Sequence, residues 1–335
     1  LIYVLDEHNC LKGGKYDYIT RLAVKCSAKR MYPDYISAKK MRENYQGNVF
    51  SCMGCRSFLS PWKDENGNYK FEGRFNQGVV SLNLPQIGII ARGDEEKFWK
   101  LMDERLQLCY EALMCRHDAL MDVTSDVSPV HWQYGAIARL NKGEKINKYL
   151  LDGYSTLSLG YIGLYEVTKL MKGVSHTDPV GREFALRVME YMRAATDHWK
   201  KETGLGFALY GTPAENLCGL QVQQFRKKYG IIANVSDREY VSNSFHCHVT
   251  EDITPIQKQD LENRFWNLMN GGKIQYVKYP IDYNVGAVKT LIRRAMNMGF
   301  YEGVNLSLAY CDDCGHQELE MDVCPKCGSK NLTKI

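Results

Sequence analysis

Apolar residues along the chain follow two alternating patterns. Short apolar runs typical of strands cover residues 1–5, 78–84 and 206–211. Apolar positions at helical spacing predict helices over 15–31, from Asp94 to about Arg116, over 182–203 and over 285–299. In the first of these helices, Tyr18, Leu22 and Cys26 share one stripe. Alternation of strands and helices favours an α/β fold with a mainly parallel sheet or a barrel.

Composition narrows the class of protein without naming a function. The 335 residues are 44% apolar and 11% aromatic, enough for one large domain or two ordinary ones. Lysine and arginine number 43 against 39 acidic residues, and a net charge of +4 is too small to indicate a nucleic-acid or membrane-surface partner. No apolar run approaches the roughly 18 residues that a bilayer span requires. Because Leu1 opens directly on the strand-like "LIYVL", we expect the chain to be a piece of a longer protein.

The composition changes at about residue 306, where a short, polar, cysteine-rich tail begins. Two C-x2-C pairs are separated by nine residues, and each pair is followed by a glycine; the cysteines are Cys311, Cys314, Cys324 and Cys327. Four thiolates at this spacing can close a tetrahedron around Zn²⁺, so we predict a structural zinc-ribbon module over 306–335, separate from 1–305. Two disulfides or free thiols are the alternatives. With four sulfurs present, His316 is interpreted as a bystander, and the other scattered cysteines suit a reducing cytoplasm.

A third C-x2-C pair, Cys52 and Cys55, lies in the apolar segment "SCMGCRSFLSPW". No second pair stands nearby to complete a metal site, and zinc-binding turns are usually polar. Composition alone favours a pair of core cysteines over one reactive sulfur in a pocket.

The segment "GTPAENLC" follows a strand and opens a helix. Thr212 can cap this helix, Pro213 suits its first position, and Glu215 completes a capping box. Such a helix start presents free N–H groups to an anion such as phosphate. The alternative is an ordinary, well-capped helix.

Taken together, these segments resemble the anaerobic (class III) ribonucleoside-triphosphate reductases, which are glycyl radical enzymes. The resemblance covers essentially the whole chain and rests on "KRMYPDYIS", "MGCRSFLSPW", "GRFNQGVVSLNLP", "SLGYIGLYE", "YGTPAENLC", "NSFH" and the C-terminal cysteine pairs, in that order. It implies a ten-stranded α/β barrel of two parallel five-stranded halves, with a finger loop threaded through it. The chain would contain the second half, the finger loop and the zinc ribbon.

The resemblance also implies the chemistry. Cys55 matches the cysteine at the tip of the finger loop, which becomes a thiyl radical and abstracts the 3′ hydrogen of a ribonucleoside triphosphate. Asn76 matches an asparagine near the sugar hydroxyls, and Met53 matches a methionine lining the pocket. On the residues alone, Asn76 reads as a turn residue and Met53 as core. We expect the apolar flank of Cys55 to shield its sulfur from water.

Further positions carry over from the same resemblance. Glu215 matches a glutamate of the branch that uses formate as reductant. The turn from Thr212 through Ala214 to Asn216 is where we expect the substrate phosphates, and the region of Ser244 is expected to touch substrate.

Other parts of such an enzyme have no counterpart in this sequence. The glycyl radical loop, the upstream active-site cysteine and the ATP-binding region do not occur in it. The resemblance implies dNTP and ATP effectors, a radical-SAM activating enzyme as partner, a homodimer and a cytoplasmic location, without membrane or nucleic-acid partners.

Two other functions fit the sequence less well. A glycyl radical enzyme of the pyruvate formate-lyase type is disfavoured because Cys52 and Cys55 are not adjacent and such enzymes lack the Cys₄ site. A zinc-ribbon nucleic-acid-binding protein is disfavoured because acidic residues crowd the tail. His131, His246 and His248 are interpreted as satisfied core or surface histidines, with nucleophilic catalysis or metal binding as the alternative for the "FHCH" pair, and Cys52 has no assigned role.

Overall fold

The computed structural model describes residues 1–10, 12–211, 213–279, 284–306, 308–319 and 321–334. In chain order, the strands are β1 (Ile2–Leu5), β2 (Asp34–Ser37), β3 (Asn76–Asn83), β4 (Thr156–Ile162), β5 (Gly206–Gly211), β6 (Gly272–Lys273), β7 (Gln275–Lys278), β8 (Tyr301–Asn305), β9 (Leu308–Cys311), β10 (Gln317–Leu319) and β11 (Leu332–Lys334). The helices are α1 (Asp17–Arg30), α2 (Ala38–Asn44), α3 (Leu84–Ala91), α4 (Glu95–Leu120), α5 (Pro129–Trp132), α6 (Leu164–Lys172), α7 (Pro179–Thr203), α8 (Asn216–Tyr229), α9 (Pro255–Trp266) and α10 (Val285–Met298).

The described chain divides into two compact units. The smaller contains residues 1–49, 253–260 and 274–335, and the larger contains 50–252 and 261–273.

The larger unit is built on a parallel sheet in the order β3-β4-β5-β6. Every residue of β4 and β5 is buried, as expected for strands covered on both faces. The long helices α4 and α7 pack beside this sheet and confirm the predicted helices. The side chain of Asp94 accepts a hydrogen bond from the Lys97 N–H at the start of α4, and Gly204 ends α7 with a φ of 71°.

The smaller unit contains a mixed sheet and a separate small antiparallel sheet. The mixed sheet has the order β1-β2-β8-β7, in which β2 and β8 run antiparallel and the other pairs are parallel. The cysteine-rich tail forms an antiparallel sheet in the order β10-β9-β11. The α/β class predicted from the sequence is thus confirmed, while the ten-stranded barrel and the boundary at 306 stay predictions.

Helix α1 lies where it was predicted, but its apolar stripe is not its buried face. Tyr18 and Leu22 are 57% and 60% exposed, and Cys26 is exposed as well. The buried side is instead formed by small and polar residues, including Thr20, whose hydroxyl bonds to Tyr3 Oη at 2.9 Å, together with Val24. Because these polar groups have partners inside the unit, their burial carries little penalty, and apolar spacing alone could not identify the buried face.

Among the described residues, no helix is both long enough and apolar enough to cross a bilayer.

Candidate functional site

The segment 50–60, here called the finger loop, is fixed against the parallel sheet by backbone and serine contacts. Phe58 N–H and Ser57 Oγ both donate to the Gly271 carbonyl, each at 3.1 Å. Two residues further on, Ser60 N–H donates to Thr156 Oγ1 at the start of β4, also at 3.1 Å. The loop is therefore tied to two strands of the sheet at its C-terminal stem.

A buried arginine secures the same stem. The Arg74 guanidinium donates to the carbonyl of Ser60 at 2.8 Å and to that of Tyr154 at 2.7 Å, with longer bonds to Gly153 and Lys70. Charge-assisted bonds of this kind are stronger than neutral ones, which offsets the cost of burying the cation.

The close approach of the finger loop to β6 requires a glycine. Gly272 has a φ of 144°, and a Cβ on it would lie 2.7 Å from the Arg56 carbonyl oxygen and 2.9 Å from Ser57 Cα. Backbone atoms cannot yield to such a contact as a flexible side chain could. Gly272 thus permits the loop to lie on the strand.

Cys55 occupies the tip of the finger loop, in a turn closed by the Arg56 N–H donating to the Met53 carbonyl at 2.8 Å. The turn is braced from the sheet, because Tyr210 Oη on β5 donates to the Cys55 carbonyl at 2.8 Å. Met53 is half-buried and closes the loop by donating its N–H to the Ser57 carbonyl at 3.1 Å. The sulfur is thus carried on a short, well-anchored turn.

The expectation that the Cys55 sulfur is shielded by its apolar neighbours is wrong for the described residues. Cys55 is exposed, whereas Cys52 is buried. Phe58 and Leu59 are buried, so the apolar flank belongs to the core of the unit and does not cover the tip.

Asn76, at the start of β3, lies directly beside the finger loop. Its Nδ2 group donates to Ser158 Oγ on β4 at 2.6 Å and to Ser57 Oγ at 3.3 Å. Its Oδ1 accepts the Gly78 N–H at 2.9 Å. The structure therefore places Asn76 against Ser57, which lies two residues beyond Cys55 in the finger loop.

The start of α8 differs from the prediction. The helix begins at Asn216, and Glu215 holds the N-cap position with a φ of 48° and no side-chain cap, so the predicted capping box is wrong. Thr212, the predicted cap, lies outside the described residues. Instead, Asn243 organises the turn, since its Oδ1 accepts the Ala214 N–H at 2.7 Å and the Cys218 thiol at 3.0 Å.

This turn opens onto a cavity of about 520 Å³. The cavity is lined by Glu215, Asn216, Gln223, Tyr240 and Asn243, among others. Both Glu215 and Asn216 are exposed, so their polar groups are available to a ligand. Cys218, by contrast, is buried, and desolvation raises the pKa of its thiol to about 12.

Ser244 does not reach this cavity in the described structure. It is fully buried, and its hydroxyl donates to the Gly211 carbonyl at 3.3 Å. Its φ of 40° and this bond fix the "NSFH" segment against the end of β5.

The three histidines have local partners. His246 Nδ1 lies 3.1 Å from Glu262 Oε1, His248 Nδ1 lies 2.8 Å from Thr250 Oγ1, and His131 Nδ1 lies 2.6 Å from the Ser128 hydroxyl. Burial, followed by the nearby Arg238 charge, lowers the pKa of His248 to about 4. These contacts agree with satisfied core and surface histidines.

The four C-terminal cysteines form a compact cluster. All four Sγ atoms lie within 4.8 Å of one another, with Cys311–Cys327 at 3.6 Å and Cys314–Cys324 at 3.5 Å. A tetrahedral zinc ion with Zn–S bonds of about 2.3 Å needs sulfurs about 3.8 Å apart, so the residues present fit such an ion. Two tight turns carry the pairs, and their glycines, Gly315 and Gly328, have φ of 72° and 74°.

Backbone geometry favours the thiolate at one position of this cluster. Burial raises the pKa of Cys324, but the N–H groups of Cys327 and Lys326, together with the neighbouring thiols, outweigh it and bring the pKa to about 6, whereas the pKa values of Cys314 and Cys327 are raised. Among the described residues, this cluster is the one group of three or more potential ligands that could hold a metal.

Sequence reasoning missed three residues of the site: Ser57, Ser158 and Tyr210. For Ser158 a signal was available, because the segment "SLGYI" places a serine in a strand that is otherwise apolar and buried. The hydroxyls of Ser57 and Tyr210 donate to backbone carbonyls that are distant in the sequence, and no local sequence pattern reveals such contacts.

Comparison with known proteins gives a consistent result. Residues 1–335 match the family described as "Anaerobic ribonucleoside-triphosphate reductase". The chain is 38% identical to the anaerobic ribonucleoside-triphosphate reductase of Escherichia coli over 99% of its length, covering 48% of that protein. It is 40% identical to the enzyme of the same description from bacteriophage T4, covering all of this chain and 56% of that protein. The chain thus spans about half the length of these relatives.

A solved structure agrees in fold. The anaerobic ribonucleotide reductase of Thermotoga maritima, in complex with dATP and CTP, superposes with a TM-score of 0.66 at 18% identity, over all of this chain and 53% of that one. The family match favours the reductase over both alternatives weighed from the sequence. The chain belongs to the anaerobic ribonucleoside-triphosphate reductase family.

Proposed function

We propose that this chain forms the C-terminal part of the catalytic subunit of an anaerobic ribonucleoside-triphosphate reductase, acting on ribonucleoside triphosphates. The observation that carries the proposal is the contact of Asn76 with the anchored finger loop that bears Cys55. Ser57 links the two, since it follows the cysteine by two residues and accepts a hydrogen bond from the asparagine. In this proposal, the loop and the sheet hold the sulfur of Cys55 near the neutral amide of Asn76.

In this reaction the Cys55 thiyl radical takes the 3′ hydrogen of the ribose, so an S–H bond forms as the C3′–H bond breaks. The 2′ hydroxyl then leaves with a proton as water. Formate supplies two electrons and one hydrogen, which replaces the hydroxyl at C2′, and leaves as carbon dioxide; the 3′ hydrogen then returns from the sulfur to C3′. A glycyl radical in the complete enzyme would generate the thiyl radical by taking the hydrogen of the Cys55 thiol.

Asn76 suits the role of a sugar-binding residue because its amide is neutral. An amide can hydrogen-bond a hydroxyl without removing its proton, and the amide group is already positioned by the sheet. Met53, half-buried in the same turn, would line the pocket beside the ribose.

The exposed sulfur needs cover during the reaction, since a thiyl radical must be kept from water. We propose that the remainder of the catalytic subunit closes over the finger loop. Support comes from the length of the relatives, of which this chain spans about half.

The substrate phosphates are assigned to the turn ahead of α8. This assignment is supported by the helix start at Asn216, which is exposed, has no side-chain cap and opens onto the 520 Å³ cavity. Thr212, Ala214 and Asn216 are the proposed contacts, with Ser244 holding the turn from behind. Glu215 lines the same cavity and is the residue we assign to the use of formate.

The cysteine cluster is proposed to hold a structural Zn²⁺ in a module over 306–335. Four sulfurs leave no open position for substrate, so the ion would stabilise the fold. A homodimer, dNTP and ATP effectors and a radical-SAM activating enzyme are proposed for the complete enzyme on family grounds. The nucleotides named for the Thermotoga structure support the nucleotide part of this proposal.

The deciding experiment replaces the sulfur in the complete protein that carries this sequence. After activation, Cys55→Ala is expected to abolish reduction of ribonucleoside triphosphates while the glycyl radical signal in electron paramagnetic resonance persists. Cys26→Ser, which alters another exposed cysteine, is the matched control and should retain full activity. Turnover in Cys55→Ala would overturn the assignment.

A further inference from the structure

Ser158, a fully buried serine in the middle of the parallel sheet, makes the shortest contact to the Asn76 side chain. It belongs to none of the roles described above. Its Oγ lies 2.6 Å from Asn76 Nδ2, against 3.3 Å for the Ser57 hydroxyl. A polar residue at a fully covered strand position requires a partner, and here that partner is the proposed sugar-binding amide.

The direction of each hydrogen bond around this amide is fixed by backbone groups at both ends. The Gly78 N–H can only donate, so the Asn76 oxygen must face it. The Gly271 carbonyl can only accept, so the Ser57 hydroxyl gives its proton to that carbonyl and offers its lone pair to Asn76. Both amide hydrogens are therefore directed at the two serine oxygens.

We infer that Ser158 is the positioning residue for Asn76, holding its amide so that the free lone pair of Oδ1 accepts a hydrogen bond from a ribose hydroxyl. This inference rests on the proposed function. Rotation of the amide by 180° would place an N–H donor against the Gly78 N–H and would lose the bond to Ser57, whose proton is given to the Gly271 carbonyl. Without Ser158, the amide keeps only the long bond to Ser57 on this side, and its orientation loosens.

The chain supplies a closely matched control. Ser155 is also fully buried, immediately ahead of the same strand, and its Oγ accepts from a side-chain amide at 2.7 Å, but that amide belongs to Gln77. Ser155→Ala removes a bond of the same type and burial without touching Asn76. Any general cost to stability should be shared by the two serine variants.

The test measures kcat and KM per glycyl radical in the complete, activated protein for wild type, Ser158→Ala, Ser155→Ala, Asn76→Ala and the double variant Ser158→Ala/Asn76→Ala. We expect Ser158→Ala to lower kcat roughly ten- to a hundredfold, as small misplacements of reacting groups do, while Ser155→Ala stays within about twofold of wild type. In the Asn76→Ala background, loss of Ser158 should have no further effect, because it acts through the missing amide.

Equal losses in the two serine variants, or a full additional loss in the double variant, would overturn the role of Ser158. If the wild-type protein carries its glycyl radical but does not reduce ribonucleoside triphosphates, the proposed function is overturned. That outcome differs from failure of the Ser158 role, in which the wild type is active and the serine variants behave alike. If Ser158→Ala fails to fold, Ser158→Cys keeps the volume and weakens the acceptor; wild-type kcat in that variant would likewise overturn the inference.

Discussion

At the scale of single residues, function is concentrated where polar groups interrupt an apolar sheet. Asn76 and Ser158 lie on neighbouring strands, yet only the spacing from Cys55 to Asn76 is visible in the sequence. The pairing of β3 with β4 sets a register in which Asn76 lies opposite Thr156. This register brings Ser158 Oγ within 2.6 Å of Asn76 Nδ2. The sequence could therefore nominate the amide and mark Ser158 as an unusual polar strand residue, but it could not pair the two.

His248 provides a residue-scale prediction about pH. Its ring is buried between Tyr165 and Tyr240, and the charges facing it are Arg238, Lys169 and Glu251. Its folded pKa of about 4 lies below the unfolded value near 6.5, so above pH 6.5 neither state binds the proton and stability is unaffected. As the pH falls from 6.5 towards 4, only the unfolded chain takes up the proton, and stability is lost.

Between pH 7 and pH 5, we expect this histidine to lower the free energy of unfolding by up to about 2 kcal/mol. Urea denaturation of wild type and His248→Asn at both pH values measures the difference. His131→Asn, at an exposed histidine, is the control and should follow wild type. An identical pH dependence in wild type and His248→Asn would contradict the prediction.

At the scale of elements, the positions of helices and strands were predictable, whereas their faces and starts were less so. The caps at Asp94 and Gly204 are local chemistry, and the structure bears them out. The buried face of α1 and the start of α8 depend on contacts with distant residues. The turn ahead of α8 is held by Asn243 from 25 or more positions away, and no window of sequence contains that information.

The contact between the finger loop and β6 leads to an element-scale prediction. Gly272→Ala is expected to destabilise the larger unit by about 3 kcal/mol or more, because its Cβ would meet the backbone of Arg56 and Ser57. Gly230→Ala is the matched control, since it also has a positive φ of 77° but no atom near the added Cβ. We expect about 1 kcal/mol there from backbone strain alone.

Urea denaturation compares the two glycine variants, and limited proteolysis locates the change. Cleavage within residues 50–60 should accelerate in Gly272→Ala and stay at the wild-type rate in Gly230→Ala. Equal destabilisation of both variants with no new cleavage would show that the close contact does not hold the loop.

At the scale of the whole molecule, the cysteine-rich tail yields a prediction about metal content. The purified chain is expected to contain one zinc ion, and Cys324→Ser is expected to lose it, because three thiolates hold zinc less tightly than four. Cys115→Ser, at an exposed cysteine on α4, is the control and should retain the ion.

Elemental analysis by mass spectrometry measures the zinc, and proteolysis of the tail reports its folding. Chelation should expose 306–335 to protease, because so short a segment relies on the metal for its stability. A chain that is free of zinc yet resists protease in this region would contradict the proposed structural role.

The anchoring of the finger loop has a further consequence for selectivity. The turn from Met53 to Arg56 is closed by its own backbone bonds and braced at the Cys55 carbonyl by Tyr210, so the sulfur has little freedom to travel. Under the proposed chemistry, the ribose must come to the sulfur. Binding of the terminal phosphate then sets the distance between the ribose and the Cys55 sulfur. A nucleotide with fewer phosphates, bound by its terminal phosphate at the same site, would hold its ribose at the wrong distance from the sulfur.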